Sequence, residues 1–294
     1  MSERYLGIDL GTTSVKAAVL TGAGTCLARF AEGYPTQRQA GGRVEQDPGD
    51  WLRLIGLALH GFSGLTVGFG CLSSQVNTHV FVNAQGQALT PAILWQDTRA
   101  AAEAAELDAL VSHDQKMAWL GAPVPIDASH PLARMLWMAR HRPEVWAATD
   151  QVLLPKDYCL RHLTGQAVTD PLSNVGLVGP DLRYVQAMLD LVPGAARRMA
   201  RLAGVSEVIG RIGPDFGLCG VTMINGTMDG WAGLFGAGCS HEGAAVWLSG
   251  TSEVLGICAD RVTGAPGVVV FPPVGGLRLH AGPTQSGGAS QLLF

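Results

Sequence analysis

Charge is scarce in this chain: Asp, Glu, Lys and Arg make up 15% of its 294 residues, against roughly 25% in an average soluble protein. No basic cluster accompanies the net charge of −4, which argues against a nucleic-acid partner. No CxxC pair occurs. Cys26, Cys71, Cys159, Cys219, Cys239 and Cys258 are scattered and read as reduced core residues. Neither GxxxxGK[ST] nor GxGxxG is present, which removes the standard nucleotide loops. Between Leu54 and Gln96 there is no charged residue at all. Polar side chains such as His60, Ser73, Gln75, Asn77 and His79, with several glycines and Pro91, break that span, so it falls short of a membrane helix. Met1-Ser2-Glu3-Arg4 leads straight into a strand-like segment without a signal-type apolar run, and a cytoplasmic protein is expected.

What is abundant is hydrophobic residue, at 47%, and glycine, at 39 positions. This composition excludes a disordered, collagen-like or coiled-coil chain. The length suits one large domain or two ordinary ones.

Tyr5 to Leu10, Val15 to Leu20 and Cys26 to Ala31 read as three strands joined by tight turns. A strand, rather than a helix, follows the first glycine turn. Anion binding there would therefore use a hairpin, with donors from the backbone and from Thr12, Thr13 and Ser14. Asp9 would hold Mg²⁺ through water; a turn-capping Asp9 in an ordinary hairpin is the equal alternative. Asp47-Pro48 marks a helix start reaching to about Phe62. Strands are predicted at 67–73, 79–83, 92–95, 221–225, 244–248 and 253–258. Helices are predicted at 98–111, within 131–165 with breaks near Pro143 and Pro155, as two pieces within 180–204, and at about 230–238. The mixture predicts an α/β fold with a mixed sheet. Asp229, at a helix start, would be kept ionised by the helix dipole and available to accept a hydroxyl proton, or would be a plain N-cap. Gly250-Thr251-Ser252 is a second hydroxyl-rich turn after a strand.

Together these segments resemble the FGGY family of carbohydrate kinases. The carriers are Gly7-Ile8-Asp9-Leu10-Gly11-Thr12-Thr13-Ser14-Val15-Lys16-Ala17, Pro91-Ala92-Ile93-Leu94-Trp95-Gln96-Asp97-Thr98-Arg99, Leu154-Pro155-Lys156-Asp157-Tyr158, Gly226-Thr227-Met228-Asp229-Gly230 and Leu248-Ser249-Gly250-Thr251-Ser252. The xylulokinase-like subgroup is the most similar. The resemblance implies an actin/hexokinase-like (ribonuclease H-like) fold and ATP-dependent phosphorylation of a ketose, such as xylulose or ribulose, or of a sugar alcohol. Asp229 would be the general base and Asp9 the Mg²⁺-positioning group. Gly11, Thr12 and Thr13 would hold phosphates, with Gly250, Thr251 and Ser252 clamping from the other lobe. Asn77, Asp97 and Asp229 would face the sugar.

Two departures from the family pattern carry information. Ser74-Gln75-Val76-Asn77-Thr78 stands where xylulokinases have Gly-Gln-Met-His-Gly, so Asn77 replaces a sugar-contacting histidine, and Gln96 replaces an Asn. Such a change points to another ketose or a sugar alcohol rather than D-xylulose; the alternative is that Asn77 is merely a turn residue. Family members are also considerably longer. The resemblance therefore predicts a complete first lobe over 1–238 and the start of a second over 239–294, with a helix beginning near residue 281. The adenine-receiving segment would be missing, so nucleotide binding would be weak. An apolar sheet face would lie uncovered and favour association, a homo-oligomer included. The alternative to a kinase is a non-catalytic remnant that binds sugar or a partner chain.

Overall fold

The structure is a computed structural model that describes residues 3–249, 253–261, 267–271, 273 and 276–283. Three strands open it: β1 (Arg4–Leu10), β2 (Ser14–Thr21) and β3 (Cys26–Gly33). Two short strands follow, β4 (Gln37–Gln39) and β5 (Arg43–Gln46), before helix α1 (Pro48–Gly61). As expected, Asp47 caps α1, its carboxylate accepting from the Gly49 N–H at 2.8 Å. Next come β6 (Phe69–Ser74), β7 (Val80–Val82) and β8 (Ala92–Ile93), then α2 (Ala101–Leu110), α3 (His113–Leu120), α4 (Pro131–His141) and α5 (Pro143–Ala148). The first large unit finishes with β9 (Gln151–Leu153), α6 (Pro155–Thr164), β10 (Val168–Thr169), α7 (Gln186–Leu189), β11 (Arg201–Leu202), β12 (Val208–Arg211) and β13 (Thr222–Ile224). After α8 (Asp229–Gly236) lie β14 (Ala245–Ser249), β15 (Glu253–Ala259), β16 (Val269–Val270) and β17 (Arg278–Pro283).

The main sheet has six strands in the order β12-β13-β6-β1-β2-β3. Strand β2 runs antiparallel to both β1 and β3, whereas β6 lies parallel to both β1 and β13, so the sheet is mixed. Alternation along β1 and β2 sends Leu6, Ile8, Leu10, Val15, Ala17 and Val19 to one face, where they pack with Trp51, Leu54, Ile55, Ala58 and Leu59 of α1. Asp9 has the opposite parity. It pairs with Lys16 on one side and Ser73 on the other, so all three point away from α1.

A separate antiparallel sheet, β14-β15-β17-β16, packs one face against α8. Cys258, Leu279 and Ala281 meet Trp231 and Leu234 there. On its other face, Trp247 and Leu255 are direct cross-strand partners at 68% and 64% exposure, with Ile257 at 48%.

Several expectations need correction. The two helices expected within 180–204 shrink to the single turn of α7, a 3₁₀ turn at Ala196–Arg198 and strand β11; Pro193-Gly194 interrupts the pattern, and strand pairing with β10 fixes the end. Residues 281–283 extend β17 instead of starting a helix, because they pair with Val254, Leu255 and Gly256 of β15. Helix α3, with a complete Ser112–Gln115 capping box, and strands β4, β5, β9 and β12 were not anticipated.

Candidate active site

The site begins where β1 and β6 end side by side. An isolated parallel bridge between Ser74 and Met228 carries the strand order one step further and delivers Asp229 as the first residue of α8. Gly226 makes that approach possible. Its φ is +74°, and a Cβ there would lie 2.1 Å from the Leu72 carbonyl oxygen. Only glycine fits both constraints.

Asp9 and Asp229 are thereby brought within electrostatic reach of each other. Asp229 is open to solvent on one side and enclosed by protein on the others. That partial burial, reinforced by the Asp9 charge, raises its carboxyl to about 6, while its hydrogen bond from the Gly230 N–H (2.8 Å) pulls the other way. The helix N-terminus is therefore not enough to hold Asp229 in the ordinary carboxylate range. Asp9 is also raised by burial, tempered by the Ser73 hydroxyl, which donates to it at 3.1 Å, and by Lys16.

Two cavities adjoin these groups. A cleft of about 550 Å³ is lined by Asp9, Lys16, Arg29 and Ser73, with Ala232 of α8. A smaller pocket of about 170 Å³ holds Asp229 and Gly230 beside Val76 and Phe271.

Among the described residues no group of three or more His, Cys, Asp or Glu is placed to hold a metal ion.

The glycine turn is fixed at several points. Gly11 N–H donates to the Ser14 carbonyl at 3.1 Å, and the Tyr34 hydroxyl donates to the Gly11 carbonyl. The Thr13 carbonyl accepts from the Tyr34 N–H at 3.2 Å. Trp95 donates its indole Nε1–H to the Thr12 hydroxyl at 3.2 Å. With that lone pair engaged, the Thr12 O–H is left to donate to a bound anion.

Asn77 adopts φ +54°, a conformation asparagine tolerates better than most residues. Its Nδ2 donates to the Ser129 Oγ at 3.2 Å, and its carbonyl accepts from Arg134. Its neighbour Val76, not Asn77, lines the Asp229 pocket. Asp97 is buried and accepts from the Val44 N–H (2.6 Å), from the Arg99 N–H (3.0 Å) and from the Arg99 guanidinium at 2.7 and 2.8 Å. That carboxylate lines neither cavity; it locks the loop that carries Trp95. Gly250, Thr251 and Ser252 lie outside the described residues.

Sequence reasoning passed over the parts that hold this arrangement. Lys156, fully buried, places its Nζ 2.5 Å from Asp157 and 3.0 Å from Asp170, and donates to the Asn225 amide oxygen at 3.3 Å. Asp170 in turn accepts from the Thr227 hydroxyl at 2.9 Å, two residues before Asp229. Arg134, also fully buried, donates to the carbonyls of Asn77, Ile93 and Leu94 and to His79. Lys156 and Asp157 stood in one of the segments that carry the family resemblance but were given no role, and Arg134 was signalled only by its charge in a largely apolar helix.

Residues 4–236 match the model for the FGGY family of carbohydrate kinases, N-terminal domain. The chain belongs to the FGGY family. A xylulose kinase of Escherichia coli strain K12 is 31% identical over 261 residues, covering 85% of this chain and 53% of that protein. Among solved structures, a xyloylose kinase from Brucella ovis superposes with a TM-score of 0.88 at 26% identity, covering 99% of this chain and 62% of the other. A gluconate kinase from Lactobacillus acidophilus superposes at 0.89 with 22% identity, over 98% of this chain and 61% of the other, and shares the fold. The FGGY chain described here thus spans about half the length of the curated relatives it matches. Its fold is the actin/hexokinase-like one of these sugar kinases, represented in part.

Proposed function

We propose that this chain carries the base and phosphate-side machinery of an ATP-dependent carbohydrate kinase acting on a small ketose or sugar alcohol. The observation that carries the reading is the convergence of Asp9 and Asp229, with the Asp229 carboxyl raised to about 6 by burial and by Asp9. A carboxylate so tuned is ionised at neutral pH yet basic enough to accept a proton as an alcohol attacks phosphorus. Asp229 takes the hydroxyl proton. The turn at Gly11, Thr12 and Thr13 orients the transferred phosphate, with the free Thr12 O–H donating to it. Asp9 would hold Mg²⁺ through water, and the ion would supply neutralisation of phosphate charge. Gly250, Thr251 and Ser252 supply a second clamp. The division of the chain at 238/239 follows α8, so the base lies at the junction of two sheets.

Asn77, its amide bonded to Ser129, and Asp97, which braces the turn after Trp95, are the further residues assigned to the sugar side. An amide in place of an imidazole favours a polyol other than D-xylulose; the names of the relatives favour a pentulose. The test is ADP release from Mg-ATP against a panel of ketoses and sugar alcohols, with Asp229→Asn as control. Turnover that needs one polyol and vanishes in Asp229→Asn supports the kinase. Saturable polyol binding without turnover would replace it by a sugar-binding module.

A further inference from the structure

Five residues from four separate segments close a ring of hydrogen bonds between the phosphate turn and the sugar-side turns. The Gln46 Nε2 donates to the Thr12 carbonyl at 2.7 Å and to the Thr36 hydroxyl at 2.7 Å. The Gln75 Nε2 donates to the Gln46 Oε1 at 3.2 Å. The Thr78 hydroxyl donates to the Gln75 Oε1 at 3.2 Å and accepts from the Trp95 N–H at 3.2 Å. The Trp95 indole then returns to the Thr12 hydroxyl. Gln46, Gln75 and Thr78 are buried.

The chemistry at the two ends sets the direction of every bond between them. The Thr12 carbonyl can only accept, so Gln46 must present its amide nitrogen there, which leaves its oxygen for Gln75. The Trp95 N–H can only donate, so the Thr78 oxygen receives it and its proton goes to Gln75. No amide can turn over without leaving two buried groups unpaired, which makes the ring behave as a unit.

We propose that Gln46 and Gln75 are positioning residues: through this ring they tie the orientation of the Thr12 hydroxyl, and hence the phosphate turn, to Thr78 and Trp95 in the turns that carry Asn77 and Asp97. Neither glutamine lines the cavities beside Asp9 and Asp229. The consequence for catalysis rests on the kinase reading above; the coupling itself does not.

The test reads the Trp95 indole N–H, which neither glutamine contacts. Its ¹H–¹⁵N signal is identified by its loss in Trp95→Phe, and its solvent exchange is followed in the ligand-free chain. Because an unpaired buried group opens a neighbouring bond readily, Gln75→Met is expected to speed that exchange about tenfold or more. Thr78→Val, which removes one hydroxyl at constant shape, does the same and serves if the glutamine variant fails to fold. The Gln46→Met/Gln75→Met pair is expected to be no faster than either single change. With Mg-ATP and the polyol that turns over, both KM values rise severalfold in Gln75→Met. A merely structural role would lower only the amount of active protein, and thus kcat. Unchanged indole exchange in folded Gln75→Met and Thr78→Val overturns the proposal. Absence of turnover in the parent chain would count against the kinase reading, while the exchange rates still decide the ring.

Discussion

Asp229 is the base in the proposed reading, and its titration follows from where it sits. A folded-state carboxyl raised from 3.8 to about 6 binds a proton more readily than in the unfolded chain. Between those two values the native state therefore holds more protons, and this group's contribution to stability falls as pH rises through that window. Asp229→Asn is accordingly expected to raise the thermal midpoint at pH 7 and to leave it little changed near pH 4, by calorimetry at both pH values. For turnover the sign is opposite: the base is lost as pH drops, so kcat/KM has an acid limb near 6. Asp9→Asn removes the like charge and moves the Asp229 titration, followed by carboxyl NMR, to lower pH. A titration unmoved by Asp9→Asn would separate the two carboxylates.

Glycine at position 226 is a requirement of the same place. Gly226→Ala meets both a left-handed φ and the Leu72 carbonyl. The expected cost is about 1–3 kcal/mol from backbone strain alone, read from urea midpoints, with loss of turnover because Asp229 follows three residues later. The residue types at this site were legible: Asp9, the Thr12–Thr13 pair and Asp229 stand in patterned segments. Asp97 was legible as important but not in its role. Its partners Val44 and Arg99 take up the carboxylate, and only the fold brings Val44 to it.

At the scale of elements, the segment before α8 is held by a buried charge cluster rather than by its own propensity. Lys156 joins both Asp157 and Asp170, and Asp170 anchors Thr227. Removing one partner of a buried pair leaves the others unpaired. Lys156→Met is therefore expected to destabilise the chain by about 3–5 kcal/mol in denaturant unfolding, a larger loss than an exposed lysine would show. Arg134 does comparable work without any carboxylate within hydrogen-bonding distance. Burial lowers its guanidinium to about 9, and its donors go to three carbonyls and to His79. The hairpin strands were readable because their alternation is local, and α1 because Asp47-Pro48 marks its start. Strands β9 and β12 were not, since both are short, β9 is defined by its distant partner β7, and the register of β12 with β13 is irregular between Val208 and Gly210.

Across the whole molecule, the two sheets differ in how they are covered. The main sheet buries one face on α1, whereas the β14–β17 sheet leaves Trp247, Leu255 and Ile257 on its outer face. Adjacent exposed apolar side chains of this size favour association. Concentration-dependent self-association is expected in light scattering and is expected to weaken in Trp247→Lys/Leu255→Glu, which sets opposite charges across the strand pair in their place. A monomer at all concentrations with the parent residues exposed would contradict this.

What the sequence by itself determined was whatever repeats within a few residues: the meander, the capped α1, the hydroxyl-rich turn, the family pattern and the class of the fold. Those features rest on alternation, turn chemistry and spacing along the chain, all of which act locally. Only the tertiary structure decided that Asp9 and Asp229 share one field, that Asp97 faces inward, and that Gln46, Gln75, Thr78 and Trp95 close on Thr12. These depend on contacts between residues tens of positions apart, and they are set by strand order and burial, which raise a carboxyl and orient an amide only once distant segments have met.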